Sequence, residues 1–253
     1  MHNPVKEKLD KGEVAIGMFV TIGHPDVTER LSMVGLDWLL LDAEHGPLGF
    51  ETMQTMMQAM RGESCSPIIR VQWNDPVVIK RALDIGAHGV LIPWVNTREE
   101  AEAAVAACKY PPRGIRGCGP RRAGLVGGRD YIATANDSLL VAVQIETAMA
   151  VENIDEILAV DGVDTVYIGP VDLSMSMFGA PGKWDEPSFQ AAFDRVLEAS
   201  ARAGKPAGMY CGADNIEWAI QKGFRFPTIG NDDAFLMRAV GATLATARKA
   251  GKA

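Results

Sequence analysis

The chain has 253 residues, of which 47% are hydrophobic and 23% charged, a composition typical of a globular protein with a sizeable core. The formal net charge is −7 and no basic cluster stands out, so nucleic acid and anionic membranes are not expected as partners. No apolar run is long enough to span a membrane and the N-terminus lacks a signal-peptide core, which favours a cytoplasmic location. Four widely spaced cysteines without a C-x-x-C pair predict reduced thiols.

Eight short apolar runs are predicted as strands buried on both faces, because each is rich in branched or aromatic residues. In chain order they are Ala15–Ile22, Trp38–Ala43, Pro67–Val71, Gly89–Trp94, Leu139–Ile145, Thr165–Ile168, Ala207–Tyr210 and Phe226–Ile229.

A helical pattern follows each predicted strand. Three of these helices are predicted by their starts, at Pro25-Asp26, at Asp75-Pro76 and at the capping box Thr97–Glu100. The other five are predicted over Gly49–Arg61, Met149–Val160, Pro187–Ala203, Asn215–Lys222 and Asp233–Lys249. Eight strand–helix alternations predict a single (β/α)8 TIM barrel over residues 1–253. A doubly wound sheet ranks second, because TIGHPD follows the first strand where a glycine-rich fingerprint would be needed.

One long segment, at about residues 110–137, shows neither pattern and is predicted to be an irregular loop. A loop of this length inside a compact domain is usually functional. It contains Arg121 and Arg122, which either lie in solvent or bind a carboxylate of a substrate.

Polar residues gather where the predicted strands end, which is the end of a TIM barrel that carries the chemistry. They are His24 after strand 1, Asp42, Glu44 and His45 after strand 2, Arg70 after strand 3, Gln144 and Glu146 after strand 5, Asp172 after strand 6, and Asn231, Asp232 and Asp233 after strand 8. Asp232 and Asp233 are expected to cap the last helix.

Glu146 and Asp172 lie about one βα repeat apart and should project from neighbouring strands. Two carboxylates with the other positions left to water and substrate suit Mg²⁺ or a similar hard divalent ion. Asp42 is expected to orient Arg70 or the waters of the metal, or only to cap its turn. None of the ten lysines lies in a strand or at a strand's C-terminal end, which argues against a Schiff-base mechanism.

Six segments, in this order and spacing, resemble the HpcH/HpaI family of class II, pyruvate-dependent aldolases, which act on 4-hydroxy-2-oxoacids such as 2-dehydro-3-deoxyglucarate. They are WLLLDAEHGPLGF, PIIRVQWND, GAHGVLIPWVNT, KYPPRGIRG, VQIET and YIGPVDLS. The resemblance extends from about the first strand to the last helix. It implies a divalent-metal TIM barrel, usually a hexamer built as a trimer of dimers, in which the C-terminal helix 233–249 packs on a neighbouring subunit.

The resemblance also implies a role for individual residues. Glu146 and Asp172 would bind Mg²⁺, Mn²⁺ or Co²⁺, His45 would be the base, and Arg70 would stabilise the transition state. Asp84 would raise the basicity of His45, from within the chain or across a subunit interface. Gln144 and the backbone of Val171 and Asp172 would contact the substrate. The chain departs from the family pattern at Gln72, often a proline, and at Val171, often an alanine, which would narrow the pyruvate end of the site.

The implied activity is reversible cleavage of a 4-hydroxy-2-oxoacid to pyruvate and an aldehyde through a metal-bound pyruvate enolate, without a nucleotide cofactor. Three alternatives stay open: oxaloacetate decarboxylation or a macrophomate synthase-like activity, a lyase for coenzyme A esters on a related barrel, and a barrel without catalytic activity. The sequence leaves the aldehyde, the preferred metal and the stereochemistry undetermined.

Overall fold

The predicted barrel is confirmed in a computed structural model, which describes residues 2–62 and 64–251. Eight parallel strands pair in sequence order and close between the first and the last. The strands are β1 (Gly17–Val20), β2 (Trp38–Asp42), β3 (Ser66–Arg70), β4 (Gly89–Ile92), β5 (Leu140–Ile145), β6 (Thr165–Ile168), β7 (Ala207–Met209) and β8 (Phe226–Asn231).

Helices surround the barrel, and several connections contain more than one. They are α1 (Pro4–Asp10), α2 (Pro25–Ser32), α3 (Phe50–Ala59), α4 (Pro76–Asp84), α5 (Arg98–Cys108), α6 (Arg121–Gly127), α7 (Tyr131–Ser138), α8 (Ala148–Glu152), α9 (Ile154–Leu158), α10 (Pro170–Phe178), α11 (Pro187–Ala203), α12 (Ile216–Lys222) and α13 (Asp232–Ala250). Among the described helices, none is both long and apolar enough to cross a membrane. The cytoplasmic location stays a prediction.

Alternation along the strands separates two apolar layers. One layer fills the barrel and includes Phe19, Leu40, Tyr167 and Phe226, while the other packs the outer faces of the strands against the helices. Two residues of α1, Val5 and Leu9, belong to the inner layer. Helix α1 therefore closes the N-terminal end of the barrel and leaves the opposite end open.

The prediction of an irregular segment at residues 110–137 is wrong in part, since α6 and most of α7 lie within it. Neither helix has a side-chain hydrogen bond at its N-cap, and α6 is only seven residues long. Tertiary contacts hold them instead: Tyr131 is buried, and its hydroxyl accepts from Arg116 Nη2 at 3.1 Å. The capping residues and the helix length by which a helix is recognised in a sequence are therefore weak or missing in α6 and α7.

A buried histidine at the closed end of the barrel predicts a pH-dependent loss of stability. His88 precedes β4, and its Nδ1 lies 3.3 Å from Ser66 Oγ. Burial, with nearby His2 and Arg122, lowers its pKa from 6.5 to about 4. The folded state therefore favours the neutral ring. The contribution of His88 to the free energy of unfolding is complete above pH 6.5 and decreases as the pH falls towards 4. We expect a loss of at most about 3 kcal/mol in the free energy of unfolding.

Urea denaturation at pH 4, 5, 6 and 7 measures this loss. His88→Gln should have a shallower pH dependence than the native protein, because other titrating groups contribute equally to both. His24→Gln, at a side chain that is 60% exposed, is the matched control and should follow the native profile. Parallel profiles for His88→Gln and the native protein would contradict the prediction.

Candidate functional site

The strand alternation that fills the barrel also aims polar side chains into its open mouth. Inward-facing Leu40 and Ile68 are followed two residues later by Asp42 and Arg70, which are register partners on neighbouring strands. Inward-facing Ala142 is followed at the same spacing by Gln144 and then Glu146. Because a strand repeats every two residues, these polar groups point to the barrel axis.

A buried ion-pair network holds Arg70 at this mouth. Its Nε and Nη2 donate to the two oxygens of Asp42 at 2.9 and 2.7 Å, and Nη1 lies 3.0 Å from Glu44 Oε2. Asp42 Oδ1 also accepts the backbone N–H groups of Glu44 and His45, at 3.1 and 3.3 Å. Burial alone would lower the pKa of Arg70, but the hydrogen-bonded Asp42 and the charges of Glu44 and Glu146 together outweigh it and hold that pKa above its usual value. Of the roles left open for Asp42, the geometry favours orientation of Arg70, and Asp42 also caps its own turn.

The carboxylate of Glu146 is buried, with a relative exposure of 1%, and is held from two sides. Oε1 accepts the backbone N–H of Trp94 at 2.8 Å, and Oε2 accepts from Gln144 Nε2. Trp94 has a φ of 56°, a left-handed conformation that is uncommon for a bulky residue. On the other side, a Cβ at Gly169 would come within 2.8 Å of Glu146 Oε2. The packing leaves this carboxylate little freedom.

The acidic groups at the mouth exceed the positive charge. Burial raises the pKa of Glu146 to about 7, and the charges of Glu44 and Asp172 contribute to the rise. Burial also raises the pKa of Glu44, although Arg70 and His45 oppose it. Arg70 pairs with Asp42 and Glu44, so Glu146 and Asp172 have no ion pair of their own among the described residues.

The carboxylates of Glu146 and Asp172 fit a hard divalent cation, which would offset this excess of negative charge. Gln144 Oε1 beside them is buried without a hydrogen-bond partner, as expected of an atom that faces a missing polar ligand. In the part of the chain that the structure describes, no group of three or more histidine, cysteine, aspartate or glutamate side chains could hold a metal ion. A cation here would take two protein ligands and complete its shell with water and substrate.

Asp42, Arg70, Gln144 and Asp172 line a cavity of about 360 Å³, a size suited to a small molecule, and Glu146 lies behind Gln144. His45 lies at its edge with 65% of its side chain exposed and its Nε2 3.9 Å from Glu44 Oε2. Val171 and Asp172 line the cavity from the first turn of α10, and the Val171 side chain is 56% exposed. The structure thus brings together seven of the residues expected at the site, namely His45, Arg70, Asp42, Gln144, Glu146, Val171 and Asp172.

A second wall of the cavity contains Asn231, which was predicted at the end of strand 8, and three aromatic residues that were not predicted from the sequence. Phe19 from β1, Tyr167 from β6, Tyr210 after β7 and Asn231 at the end of β8 form it. The Tyr210 ring contacts Phe19 edge-on at a centroid distance of 5.4 Å, and the Arg70 guanidinium lies 4.9 Å from the centroid of the same ring. Tyr210 ends the predicted seventh strand, so the strand-end rule that selected the other residues would also have selected it.

Asp84 is not brought to His45 within the protomer. It is the last residue of α4, a helix that returns the chain to the N-terminal ends of the strands, opposite the site. Its carboxylate accepts from Arg116 Nη2 at 2.7 Å, and Arg116 also lies over the Tyr110 ring at 4.5 Å. Action of Asp84 on His45 within one chain is therefore excluded by this placement, and only contact between subunits is left.

The structure also decides the expectations for Arg122 and Asp232. Arg122 is part-buried and donates to the backbone oxygens of Ile85 and Met57, so it joins two helices rather than lying in solvent. Asp232 does not cap the last helix, because Asn231 is the N-cap and its side chain accepts from Ala234 N. Asp232 is the first residue of α13 and accepts the backbone N–H of Asp233 at 3.0 Å, but it also accepts the backbone N–H groups of Thr21 and Ile22 and the Thr21 hydroxyl, which ties α13 to the end of β1.

Comparisons with known proteins agree with this architecture. The sequence profile of the HpcH/HpaI aldolase/citrate lyase family matches residues 15–239. The chain is 39% identical over 237 residues to a 5-keto-4-deoxy-D-glucarate aldolase of Shigella boydii serotype 18, covering 91% of this chain and 90% of that one.

Two solved structures resemble the whole barrel. The crystal structure of an HpcH/HpaI aldolase/citrate lyase family protein from Burkholderia cenocepacia J2315 has a TM-score of 0.92 at 32% identity, covering 97% of this chain and 99% of that one. The crystal structure of macrophomate synthase has a TM-score of 0.87 at 28% identity, covering 98% of this chain and 89% of that one.

Proposed function

Because the chain belongs to the HpcH/HpaI aldolase/citrate lyase family, we propose that it cleaves 4-hydroxy-2-oxoacids reversibly to pyruvate and an aldehyde with the help of a divalent metal ion. It is a carbon–carbon lyase of the aldolase type, as its identity of 39% over 91% of the chain to an aldolase indicates. The observation that supports the mechanism is the pair of carboxylates, Glu146 and Asp172, beside a guanidinium fixed by two acids.

In this proposal Glu146 and Asp172 hold Mg²⁺, Mn²⁺ or Co²⁺. When bound, the ion supplies Lewis-acid stabilisation of the negative charge that develops as pyruvate loses a methyl proton. Arg70 donates to the same developing charge, and Asp42 keeps its guanidinium in place before the reaction begins. Gln144 and the backbone of Val171 and Asp172 orient the 2-oxoacid.

His45 is the proposed base. Its exposed ring lies at the edge of the cavity, where it, or a water that it activates, removes the proton of the 4-hydroxyl group during cleavage. An imidazole can both accept and release a proton, which suits a reaction that runs in both directions. Asp84 would increase the basicity of His45 only from a neighbouring subunit.

Exchange of the pyruvate methyl protons with D₂O, followed by proton NMR, tests this function without knowledge of the aldehyde. We expect exchange that requires the protein, stops with EDTA and returns with Mg²⁺, Mn²⁺ or Co²⁺. Sodium borohydride with pyruvate should leave the activity intact, since no lysine imine is expected. If pyruvate protons did not exchange in the presence of any of the three metals, or if they still exchanged in EDTA, the proposed mechanism would be excluded.

A second candidate is a decarboxylase of oxaloacetate or a macrophomate synthase-like enzyme. The similarity to macrophomate synthase over nearly the whole chain supports this second candidate function. Loss of CO₂ from oxaloacetate develops the same charge at the same place as proton removal from pyruvate, so the same residues would serve. Measuring oxaloacetate consumption and aldehyde-dependent use of pyruvate in one preparation separates the two activities by their relative kcat/KM.

We also propose that α13 packs against a second copy of the chain, as in the hexamer expected from the resemblance. Leu236, Met237, Val240 and Leu244 recur at helical spacing, and between 46% and 62% of each is exposed. An apolar cavity of about 440 Å³, lined by residues of α2, Ile229 and Phe235, lies beside the start of this helix. Apolar helix faces of this kind are usually covered in the assembled protein.

Replacing Val240 and Leu244 with lysine should therefore shift the protein to smaller species, because two charges would have to be buried at the proposed interface. Light scattering coupled to size-exclusion chromatography measures the mass. Thr246→Lys, on the other side of α13, is the matched control and should keep the native mass. The same mass for the native protein and the double variant would contradict this interface.

A further inference from the structure

Tyr210 places a phenol in the wall of the cavity, and the proposed mechanism gives it no role. It directly follows β7, lines the cavity, and packs edge-on against Phe19 at 5.4 Å. The groups proposed to hold pyruvate and the metal lie at the ends of β3 and β5 and just after β5 and β6, whereas Tyr210 follows β7 and Asn231 ends β8. Because none of the proposed pyruvate or metal contacts comes from the β7 and β8 side of this cavity, we assign that side to the rest of the substrate.

The orientation of the Asn231 amide is set by the helix that follows it. Asn231 is the N-cap of α13, and its Oδ1 accepts the backbone N–H of Ala234 at 2.7 Å. An N–H group in the first turn of a helix has no partner within the helix, so it requires the amide oxygen and excludes the flipped amide. Asn231 Nδ2 is consequently the atom that faces the Tyr210 hydroxyl, at 3.1 Å.

This arrangement decides the direction of the Tyr210 hydrogen bond. An amide nitrogen only donates, so the phenol oxygen must accept from Asn231 and its own hydrogen stays available. Among the described residues no acceptor for that hydrogen is found, and Tyr210 lines the cavity. Burial raises the pKa of Tyr210, which keeps the phenol protonated at neutral pH. A hydroxyl donor is thus directed at whatever occupies this part of the cavity.

We propose that the Tyr210 hydroxyl donates a hydrogen bond to a hydroxyl group next to the carbonyl of the acceptor aldehyde, and that Asn231 is its positioning residue. The inference rests on the proposed function and names its substrate class. Hydroxyaldehydes would be preferred to alkyl aldehydes of the same size. An alkyl group in this place would leave the half-buried donor without a partner, and such mismatches discriminate strongly.

Glycolaldehyde and propionaldehyde are a matched pair, because they differ by a hydroxyl in place of a methyl group. The quantity to measure is the ratio of their kcat/KM values in aldol addition with pyruvate. Both reactions share the pyruvate half, so effects on metal or pyruvate binding cancel in the ratio. We expect Tyr210→Phe to lower the ratio about tenfold. Tyr110→Phe, at a tyrosine outside the cavity, is the matched control and should leave the ratio unchanged.

Asn231→Asp provides the second variant. Aspartate keeps the acceptor that caps α13 but replaces the amide donor with a carboxylate, so the Tyr210 hydrogen should turn away from the cavity. We expect the ratio to fall as in Tyr210→Phe, and to fall no further in the double variant. An unchanged ratio in Tyr210→Phe would overturn the inference, and an unchanged ratio in Asn231→Asp would overturn the positioning role.

The proposed function is judged separately. Metal-dependent exchange of pyruvate protons by the native protein involves no aldehyde. If the native protein exchanges pyruvate protons but the two ratios do not respond to Tyr210→Phe, the specificity role alone fails. If the native protein neither exchanges pyruvate protons nor joins pyruvate to either aldehyde, the proposed function itself fails.

Discussion

Replacing Glu146 with glutamine is expected to weaken Mn²⁺ binding by about 10²-fold or more, because loss of an outer-shell partner alone costs 10–100-fold and Glu146 is a proposed direct ligand. The kcat at a fixed metal concentration should fall by at least about 10³-fold, more than the loss of one hydrogen-bond donor to a developing charge usually costs. Glutamine has the size of glutamate and keeps an oxygen for the Trp94 N–H group. Gln144 can rotate its amide so that its partnerless Oε1 accepts from the new side chain.

Titration of Mn²⁺ followed by electron paramagnetic resonance measures this affinity independently of turnover. Higher Mn²⁺ should restore part of the activity, since the defect lies in affinity. Glu152→Gln is the matched control, because Glu152 is exposed on α8 in the same βα unit and its loss removes the same charge. If Glu146→Gln bound Mn²⁺ as tightly as the native protein, Glu146 would not be a metal ligand.

Sequence patterns predicted the barrel because its strands are buried on both faces and appear as compact apolar runs. Elements that depend on tertiary contacts were not predicted. Helix α1 is short and mostly polar, and its place comes from Val5 and Leu9, which enter the inner core of the barrel. Helix α10 was missed because the longer α11 already supplied the helix expected after β6.

The site was predictable to the extent that it follows from strand periodicity. That periodicity, with the rule that barrel chemistry lies at strand C-terminal ends, indicates Arg70, Gln144 and Glu146 from the sequence alone. Strand periodicity carries no information on the direction of hydrogen bonds. Neither the bidentate ion pair of Arg70 with Asp42 nor the amide orientation of Asn231 could therefore be predicted. These depend on backbone groups several residues away.

Arg70 is expected to show the second large effect, through the geometry of its guanidinium rather than its charge. Arg70→Lys keeps one positive charge but cannot reproduce the paired hydrogen bonds from Nε and Nη2 to Asp42 while a third nitrogen faces Glu44. The lysine ammonium should pair with the acids and withdraw from the developing charge. We expect kcat to fall by about 10²- to 10³-fold, the usual result of removing one preorganised donor.

The Arg70 and Glu146 variants should differ in how they respond to metal. Arg70 is not a proposed ligand, so Arg70→Lys should bind Mn²⁺ within a few-fold of the native protein, and added metal should not restore its kcat. Arg202→Lys is the matched control: Arg202 pairs with Asp155 on the surface at 2.8 Å, and exposed pairs contribute little. Native kcat in Arg70→Lys would show that the charge alone suffices. A matching loss of Mn²⁺ affinity would instead place Arg70 in the support of the metal site, since Arg70→Lys keeps the positive charge and the charge alone should leave metal binding nearly unchanged.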